Sequence, residues 1–392
     1  MQYIIPILLT LVLTACGGGG GGGSVVSTTP TPAPAPGPTL LATTKVLDLN
    51  TNNNTVYNQA TGDLNGDGRE DIVVSGWFFD STNAKLWVFI QNADGTLTDQ
   101  TANYIPPSTF TGSQHVFIYD MDNDGHNDIV VPGFRDGSTI YNADTIIFWN
   151  QPGTTFLPQV LASTQSHGAC IDDINNDGKL DLLAAGGGVF INQGNRTFNL
   201  NSALMQGNTY FSACAVVHQG NGDVSIALGN NCYFGCGASS DNIFNFSVNN
   251  SVLTFKNAIQ ISGTGASGFI DALAINGNFV FMYNGPSSRV LYSNTGADTF
   301  AYTNTLDTLG NDYYAYTTTV NNNPAVFFAG NQLGSRIYTT TGGFTVYNAT
   351  AFTDMSGGVA GAQTGGVYHD ATGSKLYLFQ LFNNAFYIKE LT

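Results

Sequence analysis

From about residue 40 onward the chain alternates short apolar runs with polar, glycine-rich breaks. Ile72-Val73-Val74, Ile129-Val130-Val131 and Leu182-Leu183 each follow directly on an acidic Asp/Asn/Gly loop, and later runs include Phe279–Met282, Ala325–Phe328 and Leu376–Phe379. Short apolar runs bounded by turn residues read as strands. Composition points the same way: 47 glycines, 12% aromatic and only 10% charged residues suit strands joined by tight turns better than amphipathic helices. The fold class expected is all-β.

Three of the breaks share one text. Gly62-Asp63-Leu-Asn-Gly-Asp-Gly-Arg-Glu-Asp71, Asp120-Met-Asp-Asn-Asp-Gly-His-Asn-Asp128 and Asp173-Ile-Asn-Asn-Asp-Gly-Lys-Leu-Asp181 begin at aspartates 57 and 53 residues apart. A period of that size calls for one multi-stranded unit per repeat, and four strands of about six residues plus turns fill it as a propeller blade. Aligning Cys214 with Cys170 sets Gln219, Asn221, Gly222 and Ser225 opposite Asn175, Asp177, Gly178 and Asp181, a fourth copy without the ligand carboxylates. Looser copies start near Gly268, Tyr314 and Val359, which makes about seven blades. The last blade runs out at Thr392 after about three strands, while Thr44–Leu49 is a spare strand ahead of the first loop. Pairing the two would close the ring and remove the exposed sheet edges.

The N-terminus carries a different signal. Ile4–Leu13 is a short apolar stretch ending in Leu13-Thr14-Ala15-Cys16, too short to span a bilayer as a helix. It resembles the lipobox of bacterial lipoproteins, although Met1-Gln2-Tyr3 lacks the usual basic residue. The resemblance implies a signal peptide over residues 1–15, lipidation of Cys16, and, with Gly17 following, an outer-membrane lipoprotein of the bacterial envelope. Gly17–Gly23 is pure glycine and Ser24–Pro38 is rich in Thr, Pro and Ala, so residues 16–40 read as a tether that cannot fold by itself. The folded domain is expected over residues 41–392.

In each intact loop, side-chain oxygens stand at the first, third, fifth and ninth positions, glycine at the sixth, and a carbonyl is available at the seventh. Alternating carboxylates and carboxamides in a tight loop satisfy a hard cation that takes six to eight oxygens, and calcium fits this better than magnesium. No Glu follows at a twelfth position and no flanking helix is expected, which argues against an EF-hand. These loops and the phrase Asn92-Ala-Asp-Gly-Thr-Leu-Thr-Asp99 resemble the FG-GAP/VCBS repeat family, as in the integrin α-subunit propeller, strongly over about residues 60–190. The resemblance implies calcium held by Asp63, Asn65, Asp67, Arg69 through its carbonyl, and Asp71. In the second loop the matching set is Asp120, Asp122, Asp124, His126 through its carbonyl, and Asp128; in the third it is Asp173, Asn175, Asp177, Lys179 through its carbonyl, and Asp181. About three Ca2+ sites follow, with a structural role in neutralising carboxylates ahead of a direct bridge to ligand.

A formal charge of −16 with only 11 Lys and Arg excludes nucleic acid as a partner and leaves no basic patch for anionic lipid. Membrane contact therefore falls to the N-terminal lipid. Besides Cys16, four cysteines remain in a chain read as exported. Cys170 and Cys214 occupy equivalent places in consecutive repeats, so a bridge between them is one expectation, leaving Cys232 with Cys236; buried free thiols are the alternative. His115 and His167 precede the second and third acidic loops, and Asp172 is an extra carboxylate beside Asp173. There is no nucleophile elbow, zinc motif or phosphate loop, so no catalytic residue is assigned. The expectation is a monomeric envelope module that binds a protein or glycan ligand; the alternatives are a carbohydrate-active enzyme using His115 and His167, or an envelope assembly scaffold.

Overall fold

The computed structural model of the protein describes residues 40–45, 56–76, 85–106, 115–133, 144–163, 168–184, 188–205, 211–229, 242–261, 269–283, 289–307, 312–330, 336–339, 345–347, 364–382 and 385–391, apart from six positions within those ranges. Cys16, the apolar N-terminal stretch, the glycine and proline tether, His167, Cys232 and Cys236 all lie outside the described residues.

Among the described residues the strands form seven four-stranded antiparallel sheets. The first contains Val56–Gly62, Asp71–Gly76, Lys85–Gln91 and Leu97–Asp99, and the second Phe117–Tyr119, Asp128–Val131, Asp144–Trp149 and Leu157–Ser163. The third runs Ala169–Asp172, Asp181–Ala184, Gly188–Gly194 and Thr197–Asn201; the fourth Ala213–His218, Val224–Gly229, Asn242–Asn249 and Val252–Gln260. Phe269–Ile275, Asn278–Tyr283, Arg289–Gly296 and Thr299–Asp307 make the fifth, and Asp312–Val320, Asn323–Gly330, Arg336–Thr339 and Thr345–Tyr347 the sixth. The seventh takes Thr364–His369, Leu376–Phe382 and Ala385–Leu391 from the C-terminal end. Its outer strand is Leu40–Lys45, with Leu40 opposite Lys389 and Lys45 opposite Ala385. That strand starts four residues before the expected Thr44–Leu49, because the register is set by the partner strand and not by local pattern.

In the first six sheets the strands meander outward in chain order, and in the seventh the three C-terminal strands do so before Leu40–Lys45 completes the edge. First strands lie side by side, with Val56–Gly62 beside Phe117–Tyr119, Ala169–Asp172 beside Ala213–His218, and Val56–Gly62 again beside Thr364–His369. The second strands are sandwiched on both faces, which is why Asp71–Gly76, Asp128–Val131 and Asp181–Ala184 are buried along their whole length. A strand covered on both sides needs a continuous apolar run and not an alternating one.

The cores accordingly sit between sheets. Val73, Val88, Ile118, Ile129, Val131 and Phe148 pack the first sheet against the second. Val130, Ile147, Trp149, Ile171, Leu182 and Phe190 do the same for the second and third. Ile72, Trp87 and Phe89 meet Tyr368, Tyr377 and Phe379 of the seventh sheet. Each acidic loop contributes its second residue to these layers: Leu64, Met121 and Ile174 are all buried there. The loop is thereby pinned by a hydrophobic plug in the gap to the next sheet, worth roughly 1.5–3 kcal/mol for a large aliphatic side chain.

Cys170 and Cys214, on the first strands of the third and fourth sheets, are joined by a disulfide with their Cα atoms 5.6 Å apart. The bridge spans 44 residues of sequence. Constraining an unfolded loop of that length stabilises the native state by about 4 kcal/mol. Replacing both cysteines by serine is expected to lower the urea midpoint by a corresponding amount; an unchanged midpoint in reductant-free buffer would show that the bridge contributes nothing.

Candidate metal centre

The three acidic loops have one conformation, dictated by their sequence. Left-handed backbone is needed at the sixth position, where Gly68, Gly125 and Gly178 have φ of 83°, 88° and 83°. It recurs at the fourth, occupied by Gly66 (φ 77°), Asn123 (φ 59°) and Asn176 (φ 55°), the residue types that tolerate it best. The first aspartate of each loop folds the turn around itself. Asp63 Oδ1 accepts from Gly66 N at 2.7 Å and its Oδ2 from Gly68 N at 2.8 Å. Asp120 Oδ2 takes Gly125 N at 2.9 Å, and Asp173 Oδ2 takes Gly178 N at 2.8 Å. The fifth carboxylates, Asp67, Asp124 and Asp177, accept from the seventh-position N–H of Arg69, His126 and Lys179.

The ninth carboxylate is the anchor. Asp71, Asp128 and Asp181 are fully buried, and each accepts two backbone N–H groups, one from the second residue of its own loop and one from the end of the third strand. For Asp71 these donors are Leu64 and Gln91, both at 2.9 Å. For Asp128 they are Met121 at 2.9 Å and Asn150 at 2.8 Å; for Asp181, Ile174 at 3.1 Å and Asn192 at 2.7 Å. Burial pushes all three carboxyls up to about 7, the backbone donors pull the other way, and the neighbouring loop aspartates raise them further. Carboxylates in such a setting favour a cation close by.

The second loop goes furthest towards a metal centre. One oxygen each from Asp120, Asp122 and Asp124 can be chosen within 4.8 Å of one another. The Asp122 side chain is only 8% exposed, its Oδ2 accepts from Arg196 Nε at 2.7 Å, and its buried Oδ1 has no hydrogen-bond partner. A buried carboxylate oxygen without a donor is the fit expected of a ligand to a hard cation. Asn65 and Asn175 stand at the third position in the other two loops, each donating to the fifth aspartate, so those loops offer one fewer carboxylate at the expected ligand positions. Each loop also has a basic neighbour: Arg69 pairs with Asp67, Lys179 Nζ lies 3.0 Å from Asp177, and Arg196, stacked 4.9 Å over Trp149, serves the second loop from the next sheet.

Two histidines that the sequence did not single out lie at the same end of the sheets. His218 Nε2 is 2.8 Å from Asp172 Oδ1, and its Nδ1 is 3.1 Å from Asn176 Oδ1. His369 Nδ1 is 2.9 Å from Glu70 Oε2, and its Nε2 is 3.0 Å from the Thr319 carbonyl oxygen. In both, each ring nitrogen faces an acceptor, which only the doubly protonated ring satisfies on both sides. The carboxylate hydrogen bond is the main cause raising both histidines above their ordinary value, against the effect of burial. Asp172 Oδ1 thus joins the two, accepting the Asp173 N–H of the acidic loop at 2.8 Å while meeting His218 of the fourth sheet. His115 is buried with its ring stacked on Phe117.

The fourth copy is a tight turn closed by Gln219 N to the Asp223 carbonyl at 2.8 Å. Ser225 stands at the anchor position and donates to Asn245 Oδ1 at 2.6 Å. The signal for one missed group was present in the text: Gln91-Asn92, Asn150-Gln151 and Asn192-Gln193 put an amide pair at the same place in each repeat. The first amide of each pair ties loops together. Asn150 Nδ2 donates to Leu64 and Asn127 carbonyls, and Asn192 Nδ2 to those of Met121 and Leu180.

Sheets that meander outward from adjoining first strands, with cores between them, define a β-propeller. Within it, residues 63–131 match the FG-GAP-like repeat. Among solved structures it resembles BBS1N in complex with ARL6DN, with a TM-score of 0.52 at 12% identity over 91% of this chain and 97% of that one. It also resembles an ancestral GH74 enzyme, with a TM-score of 0.52 at 12% identity over 86% of this chain but only 47% of the enzyme. At that identity the likeness concerns the fold alone. No curated protein matches the chain.

The histidine pairs give a pH dependence with a definite sign. A folded value raised above 6.5 makes the contribution complete below about 6.5 and removes it as pH rises through the higher folded value. Denaturant melts from pH 6 upward should show wild type losing stability as pH rises, part of it from the buried Asp71, Asp128 and Asp181 carboxyls at about 7, and the His218→Gln/His369→Gln double variant should lose less. Equal slopes in the two proteins would remove the histidines from the account.

Proposed function

We propose that the protein is a calcium-binding propeller that serves as a binding or adhesion module for a protein or glycan ligand, closed by the pairing of Leu40–Lys45 with Ala385–Leu391 and anchored to the bacterial outer membrane through a lipid on Cys16. The observation that carries the calcium reading is the second loop, where three converging carboxylates include a buried oxygen of Asp122 that lacks a donor. The ligands would be Asp63, Asn65, Asp67 and Asp71 with the Arg69 carbonyl; Asp120, Asp122, Asp124 and Asp128 with the His126 carbonyl; and Asp173, Asn175, Asp177 and Asp181 with the Lys179 carbonyl. Calcium would neutralise these clusters and fix the loops, leaving recognition to other parts of the surface.

Several features support a binding role. The acidic loops take up the end of the sheets where first strand turns into second, so the opposite end is free to vary its loops for recognition. With a charge of −16 the ligand is neither nucleic acid nor a polyanion held by charge. Calorimetry of the chelated full chain should register about three calcium ions and a rise in melting temperature on their addition, and Asp122→Ala should lose one ion. Depletion onto insoluble polysaccharides in calcium, lost on chelation, is expected for a glycan-binding module; no depletion on any of them would redirect the search to protein ligands.

A second reading is an enzyme acting on carbohydrate, favoured by the His218–Asp172 contact, an imidazole and a carboxylate at 2.8 Å that are both partly exposed. Sugar released into the supernatant of the same assay, and lost in His218→Gln, would establish it. For the anchor, Cys16→Ser is expected to move the chain out of the membrane fraction of expressing cells, and continued sedimentation with membranes would count against lipidation.

A further inference from the structure

We infer that the second acidic loop is a hub through which the three cation loops fill cooperatively; this rests on the calcium reading above and concerns its regulation. The second loop is the one that reaches both neighbours. Asn127, at its eighth position, donates from Nδ2 to the carbonyl of Asp63, the first ligand of the first loop, at 2.8 Å. Asn123, at its fourth position, donates from Nδ2 to the carbonyl of Gly178, at the sixth position of the third loop, at 3.1 Å. The strand-end amides reinforce the same two joints: Asn150 donates to the Leu64 carbonyl at 2.8 Å, and Asn192 to the Met121 carbonyl at 2.7 Å.

These acceptors belong to the backbone that a cation would hold still. Asp63 supplies the first carboxylate of its loop, and Gly178 immediately precedes Lys179, whose carbonyl is an expected ligand. An ion in one loop therefore fixes the carbonyl that the neighbouring loop's amide must find, and fixing the amide orders the second loop in turn. Cooperativity of this kind requires only that each ion binds the ordered form better than the loose one, and the coupling is reciprocal. A hydrogen bond of this type contributes a net 0.5–1.5 kcal/mol, so each joint should raise the neighbouring affinity by about two- to tenfold.

The first loop shows what the link depends on. Its fourth position is Gly66, with the same left-handed backbone and no side chain, so it sends no amide from there to the second loop. Asn123→Gly copies that arrangement onto the second loop while leaving every expected ligand in place. Asn176 is the internal comparison: its Nδ2 reaches the Gly222 carbonyl at 2.8 Å, in a fourth loop that has lost the ligand carboxylates. The same substitution there breaks contacts to the fourth sheet alone, with the Gly222 carbonyl and with His218 Nδ1, and touches neither joint between cation loops.

The test is isothermal titration of calcium into the chelated full chain, comparing wild type, Asn123→Gly, Asn127→Ala and Asn176→Gly. Wild type should bind three ions with a Hill coefficient above one. Asn123→Gly and Asn127→Ala should still bind three, each with a shallower isotherm and about two- to tenfold weaker apparent affinity at one loop, whereas Asn176→Gly should keep the wild-type shape. Melting curves in chelator identify any variant that is simply less folded, and the two uncoupling substitutions act on opposite joints of the loop. Independent sites in wild type, or a wild-type isotherm in both uncoupling variants, would overturn the hub. Absence of any calcium binding would instead overturn the cation reading on which it stands.

Discussion

The structure depends on a buried carboxylate. Asp71, Asp128 and Asp181 are shut away from water, each bridging its own loop to the end of the third strand through two backbone N–H groups. A carboxylate taken out of water costs several kcal/mol unless it is fully bonded. The geometry of the loop, the strand end and the plug residue is therefore not adjustable piece by piece. Moving Leu64 or Gln91 would strand a negative charge between two sheets, so the loop, the hairpin and the inter-sheet core form or fail together.

The same constraint sets the electrostatics. Each anchor sits beside the carboxylates of its own loop, and their mutual repulsion must be balanced locally in a chain with few basic residues. Arg69, Lys179 and Arg196 balance part of it, and a divalent cation would balance the rest. Where the repeat gives up its acidic loop, the solution changes. Ser225 and Asn245 replace the anchor by a neutral hydrogen-bonded pair, and Lys256 bridges Asp223 at 2.8 Å and Asp298 of the next sheet. A tethered ammonium there occupies the joint between the fourth and fifth sheets, so this joint is made without an acidic loop.

Much of this was legible in the sequence. The apolar runs after Asp71, Asp128 and Asp181 became fully buried second strands because a run without alternation can be satisfied only by cover on both faces. Phe279–Met282, Ala325–Phe328 and Leu376–Phe379 took the same place in later sheets without any acidic loop to announce them. Glycine at the sixth position and Gly or Asn at the fourth fixed the loop conformation locally, since few other residues hold a positive φ there.

What the sequence could not decide were relations between distant segments. The strand count alone pairs a spare N-terminal strand with the last sheet, but its bounds, Leu40–Lys45 in place of Thr44–Leu49, were set by its partner Ala385–Leu391. His218 meets Asp172, and His369 meets Glu70 across 299 residues of sequence, because first strands and loops of adjoining sheets end at the same level. Arg196 reaches Asp122 for the same reason, and Asn123 reaches Gly178. Repeat period, strand pattern and loop chemistry are short-range properties of the chain, so the sequence by itself determined them. Which loop touches which, and which histidine faces a carboxylate, follow from the packing of one sheet on the next, and only the tertiary structure brings those groups within hydrogen-bonding distance.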